Sequence, residues 1–123
     1  MRIIIHRGTH QIGGTCVELV SGKTRIILDY GMPLAASDGK EFDDRSLQDR
    51  IAAELIKERV LFDIPGLYKC QEPQVNGILI SHSHKDHYGL LSYLNPDIPV
   101  YLSEGALKLI NVLNVFTHKQ SHV

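Results

Sequence analysis

The chain reads as an α/β fold, a mixed sheet with helices largely on one face, and three features of the sequence predict it. The first third is dense in short β-type runs punctuated by glycine: Ile3-Ile4-Ile5, Thr15 to Val20, and Thr24 to Leu28. A helical period follows, with Leu47, Ile51 and Leu55 at four-residue steps beside Ala52, Ile56 and Val60. After Val75, short apolar runs alternate with helical ones, the order expected of an α/β sheet.

Taken in order, Ile3-Ile4-Ile5 is expected to be a short buried strand. Thr15 to Val20 and Thr24 to Leu28 are strands joined by Ser21-Gly22-Lys23, a three-residue hairpin loop whose glycine can take positive φ. Met32 to Arg45 is polar and reads as a loop, either a solvated insertion or one rim of a cleft. Ser46, with Asp49 behind it, is the candidate N-terminal cap of a helix running towards Val60. Ile64-Pro65-Gly66 then breaks the chain. Val75 to Ser81 should be a buried strand, Tyr88 to Leu94 a short helix stopped at Asn95-Pro96, and Pro99 to Leu102 another strand. Ser103 caps a last helix carrying Leu107, Ile110, Leu113 and Phe116, and Thr117 to Val123 reads as a frayed tail.

Composition narrows the class. With 123 residues there is room for a single domain, 1–123, with a real core. Hydrophobic residues at 43% and charged residues at 22% argue against disorder. The 13 Lys and Arg form no basic run and the formal charge is −1, so the chain lacks the electrostatic footprint of a nucleic-acid surface. The apolar stretch in Met1 to His6 is too short for a signal peptide, and no segment reaches the length of a membrane span. Cys16 and Cys70 make neither a disulfide framework nor a Cys-x-x-Cys site, and read as small buried hydrophobes. A cytoplasmic location is the expectation.

The chemistry concentrates in His82-Ser83-His84-Lys85-Asp86-His87, directly behind the apolar run Ile78-Leu79-Ile80. From composition, such a His-x-His-x-Asp-His pattern arises in roughly one chain of this length in a thousand, so a solvated loop is a poor account of it. Imidazole nitrogens and a carboxylate are the ligand set of zinc and its neighbours. In an extended segment His82 and His84 project to one side and can take one metal. Asp86 and His87 need a turn of the chain and suggest a second ion beside the first. Structural zinc sites favour Cys and close with four ligands, so this Cys-free cluster points to an open, reactive site.

At these residues the chain resembles a known family. His82 to His87 matches the signature of the metallo-β-lactamase superfamily. Gly13-Gly14-Thr15-Cys16-Val17-Glu18-Leu19 followed by Ile26-Ile27-Leu28-Asp29-Tyr30-Gly31 is similar to that family's opening hairpin and its Leu-Asp-x-Gly turn. Met1 to Gly14, Asp63-Ile64-Pro65-Gly66-Leu67-Tyr68 and Pro99-Val100-Tyr101-Leu102-Ser103 look most like the nuclease branch that includes ribonuclease J and the β-CASP enzymes. The resemblance extends to about Phe116.

The resemblance implies the N-terminal half of an αββα sandwich and a zinc site of one or two ions. By the same token His82 and His84 hold the first ion, Asp86 and His87 the second, and Asp86 is the catalytic residue that orients the attacking water. Asp29 is then a residue beside the site, or a simple turn residue before Gly31. The implied activity is hydrolysis, most of all of a phosphodiester, with nucleic acid as partner on that analogy alone; the alternative is a non-catalytic metal-binding or oligomerisation module. Members of the family carry a further His, a metal-bridging Asp and a final His downstream. Here no His follows His87 until His118 and His122, and no Asp follows Asp97. The expectation is a half-domain with weak metal affinity and little activity alone, unless His118 or His122 substitutes. The sheet's uncovered face would then be buried in a homodimer.

Overall fold

A computed structural model describes residues 1–118, with side chains up to Asn114. The sheet has five strands in sequence order: β1 (Arg2–Arg7), β2 (Cys16–Ser21), β3 (Thr24–Leu28), β4 (Gly77–Leu79) and β5 (Val100–Tyr101). The pairs β1–β2 and β2–β3 are antiparallel, and β3–β4 and β4–β5 are parallel, so the predicted mixed α/β sheet is present. It is consistent with half of a metallo-β-lactamase-type domain. Ser21 pairs with Thr24, which leaves a two-residue turn, Gly22-Lys23, in place of the expected three-residue loop. Gly22 takes φ +57°, the left-handed conformation such tight turns demand.

β1 is an edge strand, and this overturns the expectation that Ile3 to Ile5 is buried: Ile3 is 58% and Ile5 52% exposed. The register slips between Ile5 and Arg7, Ile5 facing Val17 while Arg7 faces Cys16. Such a bulge re-aims the side chain that follows it. It turns Arg7 out of the row of Ile3 and Ile5 and into the core.

The helix expected from Ser46 is shorter and later. A 3-10 turn covers Asp44–Leu47, with the Asp43 carboxylate accepting the Arg45 N–H at 3.0 Å, and the first helix, α1, is only Ala52–Lys57. Asp49 lies at φ +58°, a left-handed residue that no helix can run through. The helix expected over Tyr88 to Leu94 is also displaced. α2 covers Lys85–Tyr88 and a 3-10 turn follows at Leu91–Tyr93. Ser103 Oγ accepts the Ala106 N–H at 3.1 Å and caps α3, Glu104–His118, as predicted. Thr117 and His118 thus belong to a helix. The rest of the expected tail, including His122, and the His118 side chain lie outside the described residues.

The core occupies one face of the sheet. Cys16, Ile27 and Ile78 meet Leu55 of α1 and the connecting residues Leu61, Ile64, Leu67, Leu90 and Leu94. Glu18 points into the same side but is neutralised, with Arg25 at 2.6 Å and His6 Nε2 at 2.9 Å. The opposite face carries the paired row Ile3, Leu19, Ile26 and Gly77, and the row Ile5, Val17, Leu28, Leu79 and Tyr101. Among the described residues Leu79 and Tyr101 stay exposed, like Ile3 and Ile5.

Candidate metal centre

The ligand segment leaves the carboxyl end of β4, where open α/β sheets place their sites. Ile80 N–H still bonds Tyr101 O at 2.8 Å, and the chain then breaks from the sheet at Ser81. His84 is the N-cap of α2, so His82 and His84 lie on extended chain while Asp86 and His87 lie in the helix. The result is two pairs of donors. His82 Nε2 stands 3.1 Å from His84 Nδ1, and His87 Nε2 stands 3.5 Å from Asp86 Oδ2. The His82 and His87 rings join the pairs, with centroids 5.3 Å apart.

These separations suit metal ligation. Two donors bound to one zinc ion at about 2.0–2.1 Å stand roughly 3–3.5 Å apart in a tetrahedral shell. Among the described residues no three His, Cys, Asp or Glu side chains are already gathered into one metal-holding group. The donor chemistry therefore fits in two halves, one imidazole pair and one imidazole–carboxylate pair.

A single short segment, Asp29 to Met32, seats α2. Asp29 leaves β3 at φ +57°, and its carboxylate is buried. Its Oδ1 accepts Ser81 N–H at 2.7 Å, and its Oδ2 accepts Ser81 Oγ–H at 2.5 Å and His87 Nδ1–H at 2.9 Å. A ligating histidine held at its other nitrogen by a carboxylate is the usual arrangement, and here Asp29 holds Nδ1 while Nε2 faces Asp86. Tyr30 N–H bonds His87 O at 2.9 Å and Met32 N–H bonds Lys85 O at 3.0 Å. Between them Gly31 admits the Asp86 carbonyl so closely that a Cβ there would fall 1.6 Å from its oxygen.

The sequence reading missed Ser81 and Arg7. Ser81 carries no signal beyond its place before His82. Arg7 is 8% exposed, and among the described residues its guanidinium donates to backbone carbonyls: Nε to Gly14 O at 2.7 Å, Nη2 to Gly31 O at 2.9 Å and Val60 O at 3.2 Å, and Nη1 to Val60 O at 3.3 Å and Arg59 O at 3.5 Å. The Phe62 ring lies 4.8 Å from its guanidinium carbon. Burial lowers the Arg7 pKa from its ordinary value. A groove of about 740 Å3 lies beyond Arg7, between the 33–46 loop and the 50–62 segment. It contains none of the four donors. Its Arg7, Lys40, Arg50 and Arg59 are matched by Asp38, Glu41, Asp43 and Glu58, so it offers no anion-binding field.

No protein-family profile matches the chain. Curated relatives do. The probable RNase MJ4 of Methanocaldococcus jannaschii is 31% identical over 120 residues, covering 92% of this chain and 21% of that protein. An RNase J-like protein of the same organism is 26% identical over 88 residues, covering 72% of this chain and 14% of that protein. The transcription termination factor FttA of Methanococcus maripaludis is 26% identical over 109 residues, covering 86% and 14%. The chain thus spans about a fifth or less of the length of the curated relatives it matches. A crystal structure of a protein of unknown function from Enterococcus faecalis V583 superposes with a TM-score of 0.71 at 26% identity, over 93% of this chain and 28% of that one. These likenesses relate the chain to nuclease-like proteins of the RNase J type.

Proposed function

We propose that residues 82–87 form part of a metal-dependent hydrolytic centre acting on phosphodiesters, with zinc as its metal. The observation that carries this reading is the pairing of donors, His82 Nε2 with His84 Nδ1 and Asp86 Oδ2 with His87 Nε2, each at a separation one ion can bridge. The RNase names of the relatives support the phosphodiester class, and nucleic acid as the partner.

Bound zinc supplies Lewis acidity and a hydroxide-like water at neutral pH. The chain's own residues do the rest. Asp29 holds the His87 ring and, through Ser81, the mouth of the ligand segment. Asp86, half-enclosed at the start of α2, would orient the attacking water. Gly31 lets α2 sit close enough to bring Asp86 and His87 beside His82.

Equilibrium dialysis against zinc tests the reading. We expect weak binding that is lost in two parts, one with His82→Ala/His84→Ala and the other with Asp86→Ala/His87→Ala. Tight binding that survives the first double substitution contradicts the assignment. Cleavage of a labelled oligoribonucleotide separates enzyme from metal-binding module. Slow zinc-dependent cleavage abolished by Asp86→Ala supports the hydrolase, whereas retained zinc with no cleavage supports the module.

A further inference from the structure

We propose that Arg7 is a positioning residue for α2: it locks the Asp29–Met32 segment in place through the Gly31 carbonyl and so fixes where Asp86 and His87 stand. The inference rests on the metal-centre reading for its consequence but on hydrogen-bond geometry for its substance. Arg7 is a buried cation whose described hydrogen bonds run to backbone carbonyls, from the Gly14 turn, the Gly31 segment and Val60 at the end of the 50–60 stretch. A guanidinium is suited to this, because its planar fork of donors can bind several acceptors in fixed directions; Lys offers one point charge. The site is built to take it. The β1 bulge turns Arg7 inward, the Phe62 ring packs against its plane, and Gly14 leaves room, since a Cβ there would fall 2.7 Å from Arg7 Nε.

The link from Arg7 to the ligands is short and made of backbone. Arg7 Nη2–H holds Gly31 O at 2.9 Å. Residues on either side of Gly31 hold α2, Tyr30 through His87 O and Met32 through Lys85 O. Gly31 itself contacts the Asp86 carbonyl, with no slack for even a methyl group. If the Gly31 carbonyl loses its donor, the segment keeps Gly31 N–H to Thr15 O at 3.0 Å and Leu90 N–H to Tyr30 O at 3.2 Å, so the seat of α2 is loosened rather than released.

The test compares Arg7→Lys and Arg7→Met with the wild-type chain by amide hydrogen exchange and by zinc affinity. The amides of Tyr30 and Met32 report the seating of α2; those of Leu19 and Ile26, in the β2–β3 hairpin, report the fold. We expect exchange at Tyr30 and Met32 to accelerate about tenfold with the hairpin amides unchanged, and zinc affinity to fall roughly tenfold, as loss of outer supporting groups commonly causes. Arg7→Lys should fall between wild type and Arg7→Met. Uniform acceleration across both sets of amides, or accelerated exchange with unchanged zinc affinity, would overturn the proposal by making Arg7 a purely structural residue. If neither variant folds, Arg7 is a determinant of the whole fold and the proposal also fails. Should the wild-type chain bind no zinc, the metal reading fails, while the exchange arm still decides whether Arg7 seats α2.

Discussion

At the residue scale the site depends on spacings that a single methyl or charge can spoil. Gly31 is needed for space rather than for an unusual φ. Gly31→Ala would set a Cβ against the Asp86 carbonyl, which is backbone and cannot swing away. Overpacking of this kind costs about 1–3 kcal/mol. We expect a loss of that size in urea denaturation, together with at least a tenfold loss of zinc affinity. Asp29→Asn keeps the shape but sets an amide NH2 against donors that the carboxylate accepts; zinc affinity should fall about 10–100-fold and stability by roughly 1–3 kcal/mol. Titration calorimetry with zinc checks both losses of affinity. The four donors were legible in the sequence because ligand chemistry requires rare residue types at close spacing. Arg7 and Ser81 were not, because a serine beside a histidine, or an arginine ending a strand, is common, and their partners are carbonyls and a carboxylate tens of residues away. The Cys16 thiol was read correctly as a buried hydrophobe: burial pushes its pKa up to about 12, which leaves it protonated and inert, whereas Cys70 is exposed.

At the element scale the strands were easier to read than the helices. Alternation and glycine turns located β2, β3 and the hairpin because those patterns are local. The helix expected from Ser46 failed at Asp49, whose left-handed φ lets the chain change direction before α1; aspartate tolerates that conformation, but nothing in the four-residue period announces it. β1 was misjudged because three isoleucines look buried, while burial depends on whether anything lies over the face they point to. The sheet also carries a pH-sensitive group. Burial pushes the Glu18 carboxyl up, but hydrogen bonds from Arg25 and His6 outweigh it and hold the pKa below its ordinary value of 4.5. A lowered carboxylate pKa contributes stability that is complete above about pH 4.5 and is lost as pH falls through the folded value. Glu18→Gln should therefore destabilise the chain at pH 7 by roughly 1–3 kcal/mol, and by less at pH 3, in urea titrations at the two pH values.

At the scale of the whole molecule, one face of the sheet is apolar, half-buried along β2 and β3 and exposed at Ile3, Ile5, Leu79 and Tyr101 among the described residues. Ile3, Ile5, Val17, Leu19, Ile26, Leu28, Leu79 and Tyr101 share it, drawn from all five strands, with no charge among them. Soluble proteins rarely expose so continuous a patch. Two copies meeting there would bury on the order of 1,000 Å2, the lower bound for a specific interface. The chain of 123 residues by itself is therefore expected to pair through this face. Light scattering should give a dimer at micromolar concentration, dissociated by Ile5→Lys with Leu79→Lys; a stable monomer of the unsubstituted chain contradicts it. No helix among the described residues is long and apolar enough to cross a membrane. The fold class was legible because it follows from the order of runs, but which face stays open follows from packing, which the order does not encode. The central claim concerns the ligands, and X-ray absorption at the zinc edge of the metal-loaded chain addresses it most directly. The account predicts a nitrogen and oxygen shell at about 2.0–2.1 Å with imidazole outer scattering that disappears in His82→Ala/His84→Ala/His87→Ala. A sulfur shell at about 2.3 Å, or imidazole scattering that survives that triple substitution, would contradict it.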